Sequence, residues 1–343
     1  LLEAVVGIGI AAILIVGVIG VFSALSRVNK VNRQQTVLTN LATKELEVVR
    51  NLPYDNIGTI NGNPSGNLPD LTNADTILLE GTTYQIYYEV TYADDPADGT
   101  ILLGTDPAPN DYKQVNMFIT NTATGRVISF VTTVSPAGLE GLANAGALSI
   151  KVFDSQGQPV PGASIHIQNT LLNPDIILDR LSNANGDWVE VALPASTNGY
   201  EITVTKAGYS TDRTYPITPQ NPNPVKPHAT VLNGTVTQIS FEIDLLSTLN
   251  IYTLDNLCQP LNGVGVNVRG AKLIGTNPDV LKYDQNWSSV NGLIDLANIE
   301  WDTYTPTMLT GQNLMVYGTS PVGGSINLLP GTTQNFSLIL GTE

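Results

Sequence analysis

The stretch Leu1–Leu25, LLEAVVGIGIAAILIVGVIGVFSAL, decides how the rest of the chain is read. From Ala4 to Leu25 it carries no charge, and Ser23 is its only polar side chain. Such a run of 22 residues, at ~1.5 Å rise per residue, makes a helix of about 33 Å, enough to cross a hydrocarbon core of about 30 Å. Signal-peptide apolar regions are shorter, roughly 7–15 residues, and run into a small-residue cleavage site. No such site follows here, so the segment is expected to stay on the mature protein. Past Leu25 the helical pattern does not stop. Arg27, Lys30 and Arg33 appear, while apolar residues continue at Val31, Leu38, Ala42, Leu46 and Val49, close to a 3.6-residue period. Pro53, the first proline, is the expected stop. A helix that is apolar all round at one end and striped at the other has two environments to satisfy.

Glu3 is the one ionisable group at the edge of the run. Two readings are open to it: a carboxylate in the headgroup layer, or one that needs a partner cation inside an apolar assembly. Its neighbours favour the second. A Leu-Leu-Glu start, an apolar stretch of about twenty residues, an amphipathic continuation and a β-rich body together resemble the type IV pilins and their pseudopilin relatives. In that family the glutamate stands two residues further in than Glu3 does here. The resemblance implies processing by a prepilin peptidase, N-terminal methylation, residence in the inner (cytoplasmic) membrane before assembly, and dependence on the pilus assembly machinery. It implies a homo-oligomeric helical filament at the cell surface, with Leu1, Leu2 and Glu3 at the subunit contacts. Glu3 would there pair with the free α-amino group of a neighbouring subunit. An uncompensated buried charge costs several kcal/mol, so the pair would set axial register. Many bacterial pilins carry a helix-breaking proline seventeen residues after the glutamate. Gly20 holds the matching place, with Gly17 a turn earlier. Local melting between them and close helix packing by the same glycines remain equally open.

Charge divides along the same line. The first 52 residues hold five Lys/Arg and three acids, whereas the other 291 hold ten and twenty-seven. An acidic body excludes a nucleic-acid surface built on a basic patch. The single cysteine, Cys258, excludes an intrachain disulfide and is expected as a buried small hydrophobe.

After a loop-rich stretch over 53–75, alternating β-branched and aromatic residues predict strands over Tyr84–Tyr92, Lys113–Thr120 and Arg126–Val134. The pilin resemblance implies that these strands pack on the amphipathic stripe from Val31 to Leu52. Between the first two strands lie Asp94, Asp95, Asp98, Asp106 and Asp111. They lack the spacing of an EF-hand loop and read as a solvated acidic turn, with Asp94, Asp95 and Asp98 the calcium candidates.

SPAGLEGLANAG (135–146) reads as a linker, and an internal repeat follows it. LSIKVFDSQGQPVPGA, from Leu148, matches LNIYTLDNLCQPLNGV, from Leu249, at an offset of 101. Asn173-Pro174-Asp175 recurs as Asn277-Pro278-Asp279, and Asn185-Gly186 as Asn291-Gly292. On the turn DSQGQPVPGASIHI, the segment NGDWVEVALP and YEITVTKAGY, the first copy resembles the carboxypeptidase regulatory-like (transthyretin-like) sandwiches. The second copy shows no counterpart of KAGY. Related surface modules form Lys–Asn isopeptide bonds through a lysine two residues before the turn aspartate. Val152 and Thr253 stand there, and Lys151 falls on the opposite, solvent face, so no such bond is expected.

Catalytic signals are lacking. His166 and His228 are far apart in the chain and His166 alternates with isoleucines as a sheet-surface residue. No nucleophile elbow or Walker loop is present, and no zinc set of the usual kind can be assembled. Trp188, Trp287 and Trp301 read as packing residues, with a sugar-stacking platform as the alternative. Asn233, Asn286 and Asn335 head N-x-[ST] triplets, which makes glycosylation an open option.

The expected fold is α+β: a polymerisation or transmembrane helix over 1–52, a pilin-type antiparallel β-domain over 53–143, and two tandem all-β Ig/transthyretin-like sandwiches over 144–246 and 247–343. The expected role is a structural subunit of a type IV pilus-like filament, without enzymatic activity or cofactor. The alternatives are a minor tip pilin that binds a host or surface ligand, and a secretion pseudopilin.

Overall fold

The computed structural model describes residues 2–95, 111–136 and 145–342, with side chains from Gly17 onward except those of Arg27 and Lys30. The chain forms two compact units, the first of which holds residues 1–59, 66–90 and 113–137.

The first unit begins with α1 (Leu2–Arg50), 49 residues without a break. At ~1.5 Å per residue it is about 73 Å long. The helix ends ahead of Pro53, which heads a short 3₁₀ turn, Tyr54–Asn56. Four strands follow: β1 (Asp75–Leu79), β2 (Thr82–Ala93), β3 (Tyr112–Asn121) and β4 (Val127–Val134). They form one sheet in chain order, with β1–β2 and β3–β4 antiparallel. Period-2 alternation sends Tyr84, Ile86, Tyr88 and Val90 of β2, and Val115, Met117 and Ile119 of β3, into one core. Leu41, Ala42 and Val49 of α1 meet them, with Leu38 and Leu46 alongside. The helical stripe is therefore real but begins a turn or more later than its periodicity suggests, because Val31 is exposed. β1 escapes the sequence reading: it is a short edge strand, and its alternation is too brief to stand out.

Lys113 closes this core in an unexpected way. It is buried, and its Nζ donates to the carbonyl oxygens of Tyr54 and Ile57 at 2.8 and 2.7 Å. Burial pushes its pKa down to about 8, against a smaller opposing effect from Asp55.

The second unit contains two copies of one design. The first copy has β5 (Ala145–Phe153), β6 (Ser164–Asn169), β7 (Ile176–Leu181) and β8 (Asp187–Pro194). It continues with β9 (Ser196–Thr205), β10 (Asp212–Arg213), β11 (Ala229–Val231) and β12 (Val236–Glu242). Strands order as β12-β5-β8 in one sheet and β10-β9-β6-β7 in the other, and both sheets line a common apolar core. The second copy has β13 (Ser247–Leu254), β14 (Gly265–Gly270), β15 (Leu273–Gly275), β16 (Val280–Leu281) and β17 (Asp284–Ser288). It ends with β18 (Leu293–Ile299), β19 (Asp302–Met308), β20 (Met315–Ser320), β21 (Ile326–Leu328) and β22 (Thr333–Gly341). Here the sheets are β18-β13-β22-β20 and β17-β14-β19-β21, again around one core.

The repeat holds down to single hydrogen bonds. Asp154 Oδ1 accepts from the amides of Gln156 and Gln158 at 2.9 and 2.8 Å, and Asp255 Oδ1 from those of Leu257 and Gln259 at 2.8 and 2.7 Å. In both Asx turns the third residue after the aspartate takes the left-handed region. Gly157 occupies that place in the first copy, and Cys258 in the second, at φ +61°. This overturns the expectation of a buried Cys258: the thiol sits on a turn tip and is exposed. The KAGY turn also has a counterpart that its sequence hides. Leu309-Thr310-Gly311-Gln312 follows β19 as Lys206–Tyr209 follows β9, with Gly311 and Gly208 both at positive φ.

Candidate assembly surface and binding sites

The first candidate is α1 itself. Val18, Ile19, Val21, Phe22, Leu25, Val28 and Val31 are each 46–71 % exposed, a dense apolar surface in a single helix. The helix runs unbroken through Gly17 and Gly20, and a Cβ at either would meet nothing within 4 Å. Neither glycine packs against another part of the described chain, so both remaining readings refer to an assembled state. Leu2 and Glu3 begin the helix, but their side chains, like all of Leu1, lie outside the described residues. Among the described residues no helix is long and apolar enough to cross a membrane. The expectation of a membrane span over Ala4–Leu25 is therefore not carried by the structure: the described side chains of that run begin at Gly17 and cover less than half of it.

Burial of a Val, Leu, Ile or Phe side chain contributes ~1.5–3 kcal/mol, so covering the exposed halves of these seven would contribute on the order of 5–10 kcal/mol gross. Polar contacts along α1 are marginal by comparison. Arg33 meets Glu80 at 2.6 Å with both side chains exposed, a pair worth at most about 1 kcal/mol.

The acidic turn is only partly described. The Asp95 amide donates to the Asp111 carboxylate, while Asp98 lies outside the described residues. Among the described residues no group of three or more His, Cys, Asp and Glu is placed to hold a metal ion. Asp94, Asp95 and Asp98 thus gain no support as a calcium site.

The other singled-out residues take structural positions. His166 Nδ1 lies 2.8 Å from Asp179 Oδ1 across neighbouring strands, on the sheet surface as its alternation implies. Lys151 points to solvent and meets Asp187 at 3.2 Å, while Val152 and Thr253 are buried. The tryptophans do not gather into a platform. The Trp188 indole donates to Glu190 Oε2 at 3.0 Å, that of Trp287 donates to the Tyr283 hydroxyl at 3.1 Å, and Trp301 stacks beneath Lys272 Nζ.

Two polar clusters of the second unit carry no sequence signature. Glu190, on β8, is buried with Arg180 of β7, whose Nε donates to it at 2.9 Å. The Asn63 amide, from the loop Ile60–Ser65 that belongs to this unit, also donates to Glu190, at 3.1 Å. A second cluster joins the two copies: Val225 N–H donates to Ile274 O, Thr276 N–H to Asn223 O, and Lys282 Nζ to Thr211 O, each at 3.0 Å. Asn63 lies 127 residues from Glu190, and the junction bonds span about fifty residues or more, so no local pattern announces these contacts.

No protein-family model matches the chain, and no curated protein matches its sequence. Among solved structures, the chain is similar to the Bacillus anthracis TIE protein at 11 % identity and TM-score 0.24, over 78 % of this chain and 56 % of that one. It therefore spans little more than half the length of that protein. It is similar to GBS52, the minor pilin of Streptococcus agalactiae, at 12 % identity and TM-score 0.27, over 58 % of this chain and 96 % of that one. It is also similar to the shaft pilin SpaA of Lactobacillus rhamnosus GG, at 11 % identity and TM-score 0.23, over 58 % of this chain and 99 % of that one. At TM-scores this low, these likenesses carry no argument about the present chain.

Proposed function

We propose that the chain is a structural subunit of an extracellular filament of the type IV pilus kind, polymerising through α1. The observation that carries this reading is the division of one continuous helix. Its second half supplies Leu41, Ala42 and Val49 to a core, while Val18 to Val31 present apolar side chains that no other part of the described chain covers. The occupant we assign to that surface is the same helix of further copies. The uncharged run Ala4–Leu25 supports this, because a bundle of such helices leaves no charge to satisfy except that of Glu3. Glu3 then pairs with a neighbouring subunit's α-amino group. The same run would hold the subunit in the cytoplasmic membrane before the assembly machinery extracts it.

In this reading residues 53–143 form the pilin-type β-domain, and 144–246 and 247–343 are β-sandwich modules displayed outward. The acidic body suits exposure to the medium. Its work is mechanical rather than catalytic.

Electron microscopy of filaments sheared from cells producing the wild-type chain or Glu3→Ala tests the proposal. Abundant filaments composed mainly of this chain, lost in the variant, are the expected result. Filaments that persist with the chain present only in traces would replace it with a minor tip subunit.

A further inference from the structure

The outward face of the sheet β17-β14-β19-β21 carries an ordered polar array. Strand register places Asn286, Asn267 and Thr307 in one row, and Asp284, Arg269 and Thr305 in the next. The alternate residues of β14, Val266 and Val268, turn into the core. Asn267 Nδ2 donates to Asp284 Oδ1 at 2.7 Å and to Asn286 Oδ1 at 2.8 Å. Arg269 Nε lies 3.3 Å from Asp284 Oδ2. The Asn267 bond, helped by the Arg269 charge, holds the Asp284 carboxyl below its ordinary range. One acceptor of the network, Asn267 Oδ1, has no hydrogen-bond partner among the described residues.

The array lines an open concavity of about 690 Å³, with Leu309 and Thr310 forming one wall. That wall is fixed in place. Gln312 Oε1 accepts from the Gly265 amide at 2.6 Å, and its Nε2 donates to the carbonyls of Gly265 and Leu309 at 2.8 and 2.7 Å. A side chain at Gly265 would press on Leu309, 3.0 Å from where a Cβ would sit.

The first copy of the module supplies an internal control. At an offset of 101, Asn267 corresponds to His166, and the residues paired as Asn286 and Asp284 are there correspond to Asp179 and Ile177. The first copy thus has an exposed isoleucine in place of Asp284, and its own polar contacts on this face, Gln168 Nε2 to Glu201 Oε2 at 2.7 Å and His166 Nδ1 with Asp179 Oδ1 at 2.8 Å, link different partners. The fold therefore accepts a different polar set on this face, and the linked Asn286–Asn267–Asp284 arrangement is particular to the second copy.

We propose that this face binds a neutral saccharide. Arg269 and Asp284 compensate one another, which leaves no net charge for a ligand to neutralise. The remaining groups are amides and hydroxyls, able to donate and accept within a few ångströms, as vicinal sugar hydroxyls demand. Because the donors and acceptors are already held by one another and by the Gln312 clamp, little ordering cost falls on binding. No aromatic ring lines the concavity, so stacking adds nothing and the single-site affinity is weak, on the order of millimolar. The proposal does not depend on the filament reading, although repetition along a filament would multiply weak sites into avidity.

Saturation-transfer NMR on the full chain tests it, with D-glucose, D-galactose, D-mannose and N-acetyl-D-glucosamine as neutral probes and N-acetylneuraminic acid as the anionic one. Saturable binding of at least one neutral sugar is expected. It should weaken at least tenfold in Asn286→Ala and in Thr307→Ala, whose melting stays at the wild-type temperature, and remain unchanged in His166→Ala. Binding that survives both site variants overturns the proposal. So does the absence of saturable binding by any neutral probe, or binding confined to the anionic sugar.

Discussion

Replacing Glu190 by Gln would keep its shape and remove its charge, and the structure indicates what that would cost. Both side chains of the Arg180–Glu190 pair are at most 5 % exposed. Glu190 accepts from Arg180 Nε at 2.9 Å, from the Trp188 indole at 3.0 Å and from Asn63 Nδ2 at 3.1 Å. The Gln variant takes the Glu190 charge away from a guanidinium in a poorly solvated site, and breaking a buried pair from one side costs ~3–5 kcal/mol. Replacing both partners, as in Arg180→Met with Glu190→Leu, removes the desolvation penalty along with the attraction and is expected to cost less than either single change. Calorimetric melting of the full chain would measure the totals, and hydrogen exchange over residues 176–194 would locate them. The double variant also loses one of the two acceptors of Asn63, the other being Val191 O, so the loop Ile60–Ser65 should exchange faster in that variant than in Glu190→Gln, which keeps an accepting oxygen. A loss below about 1 kcal/mol for Glu190→Gln would refute the reasoning, since that is what a solvated pair gives.

Two further predictions concern other parts of the fold. Lys113, with its pKa depressed to about 8, sheds its proton in the folded chain before it does in the unfolded one. Between that value and the ordinary ~10.4 the unfolded chain binds more protons, so the first unit should gain stability as pH rises from about 8 to 9.5. Lys113→Met should abolish that gain, and it should also destabilise by about 1–3 kcal/mol through the Ile57 carbonyl, since the Tyr54 carbonyl keeps the Ile57 amide as a donor. Exchange protection in β2 and β3 with the same pH slope in both proteins would contradict this. At the junction of the two copies, a Cβ on Gly275 would fall 1.8 Å from Asn221 Oδ1. Gly275→Ala should therefore loosen residues 221–225 and 274–276, at about 1–3 kcal/mol, with faster exchange there and unchanged protection in β5 and β13. Unaltered protection at the junction would count against it.

Local physics made much of the architecture legible. Strands over 84–92, 113–120 and 126–134 declare themselves through alternation, and each is found within a residue or two of those limits. The repeat is legible because an Asx turn needs an aspartate at one place and a left-handed residue three further on. Where the rule is about backbone, side-chain identity is freed, so Cys258 could stand in for Gly157 and mislead a reading based on hydrophobicity. The same freedom hides the LTGQ turn behind KAGY. The polar array and the Arg180–Glu190 pair were not legible at all. The array joins strands β17, β14 and β19, which sheet order rather than sequence order makes neighbours, and the ion pair links two strands of opposite sheets, β7 and β8.

The strand order also bears on how a filament subunit would carry load. In each copy the first strand pairs with the last in parallel: β5 with β12 over seven residue pairs, and β13 with β22 over seven more. A pull applied at the start of the first strand and the end of the last slides the two past one another. Parallel strands share evenly spaced bonds, so such a pull loads the whole ladder at once rather than opening it pair by pair. Both sequence-distant ends of each copy are thus joined by the element that resists tension directly, and the core side chains between the sheets need not transmit it. The two copies keep this inner design while differing on the outward face, Asn267 standing where His166 stands in the first. On the proposals made above, tension and recognition would fall on different sheets of the second copy, the ladder on β13 and β22 and the polar array on β17, β14 and β19. One outward face can change without weakening the ladder, as a displayed module of the proposed filament would require.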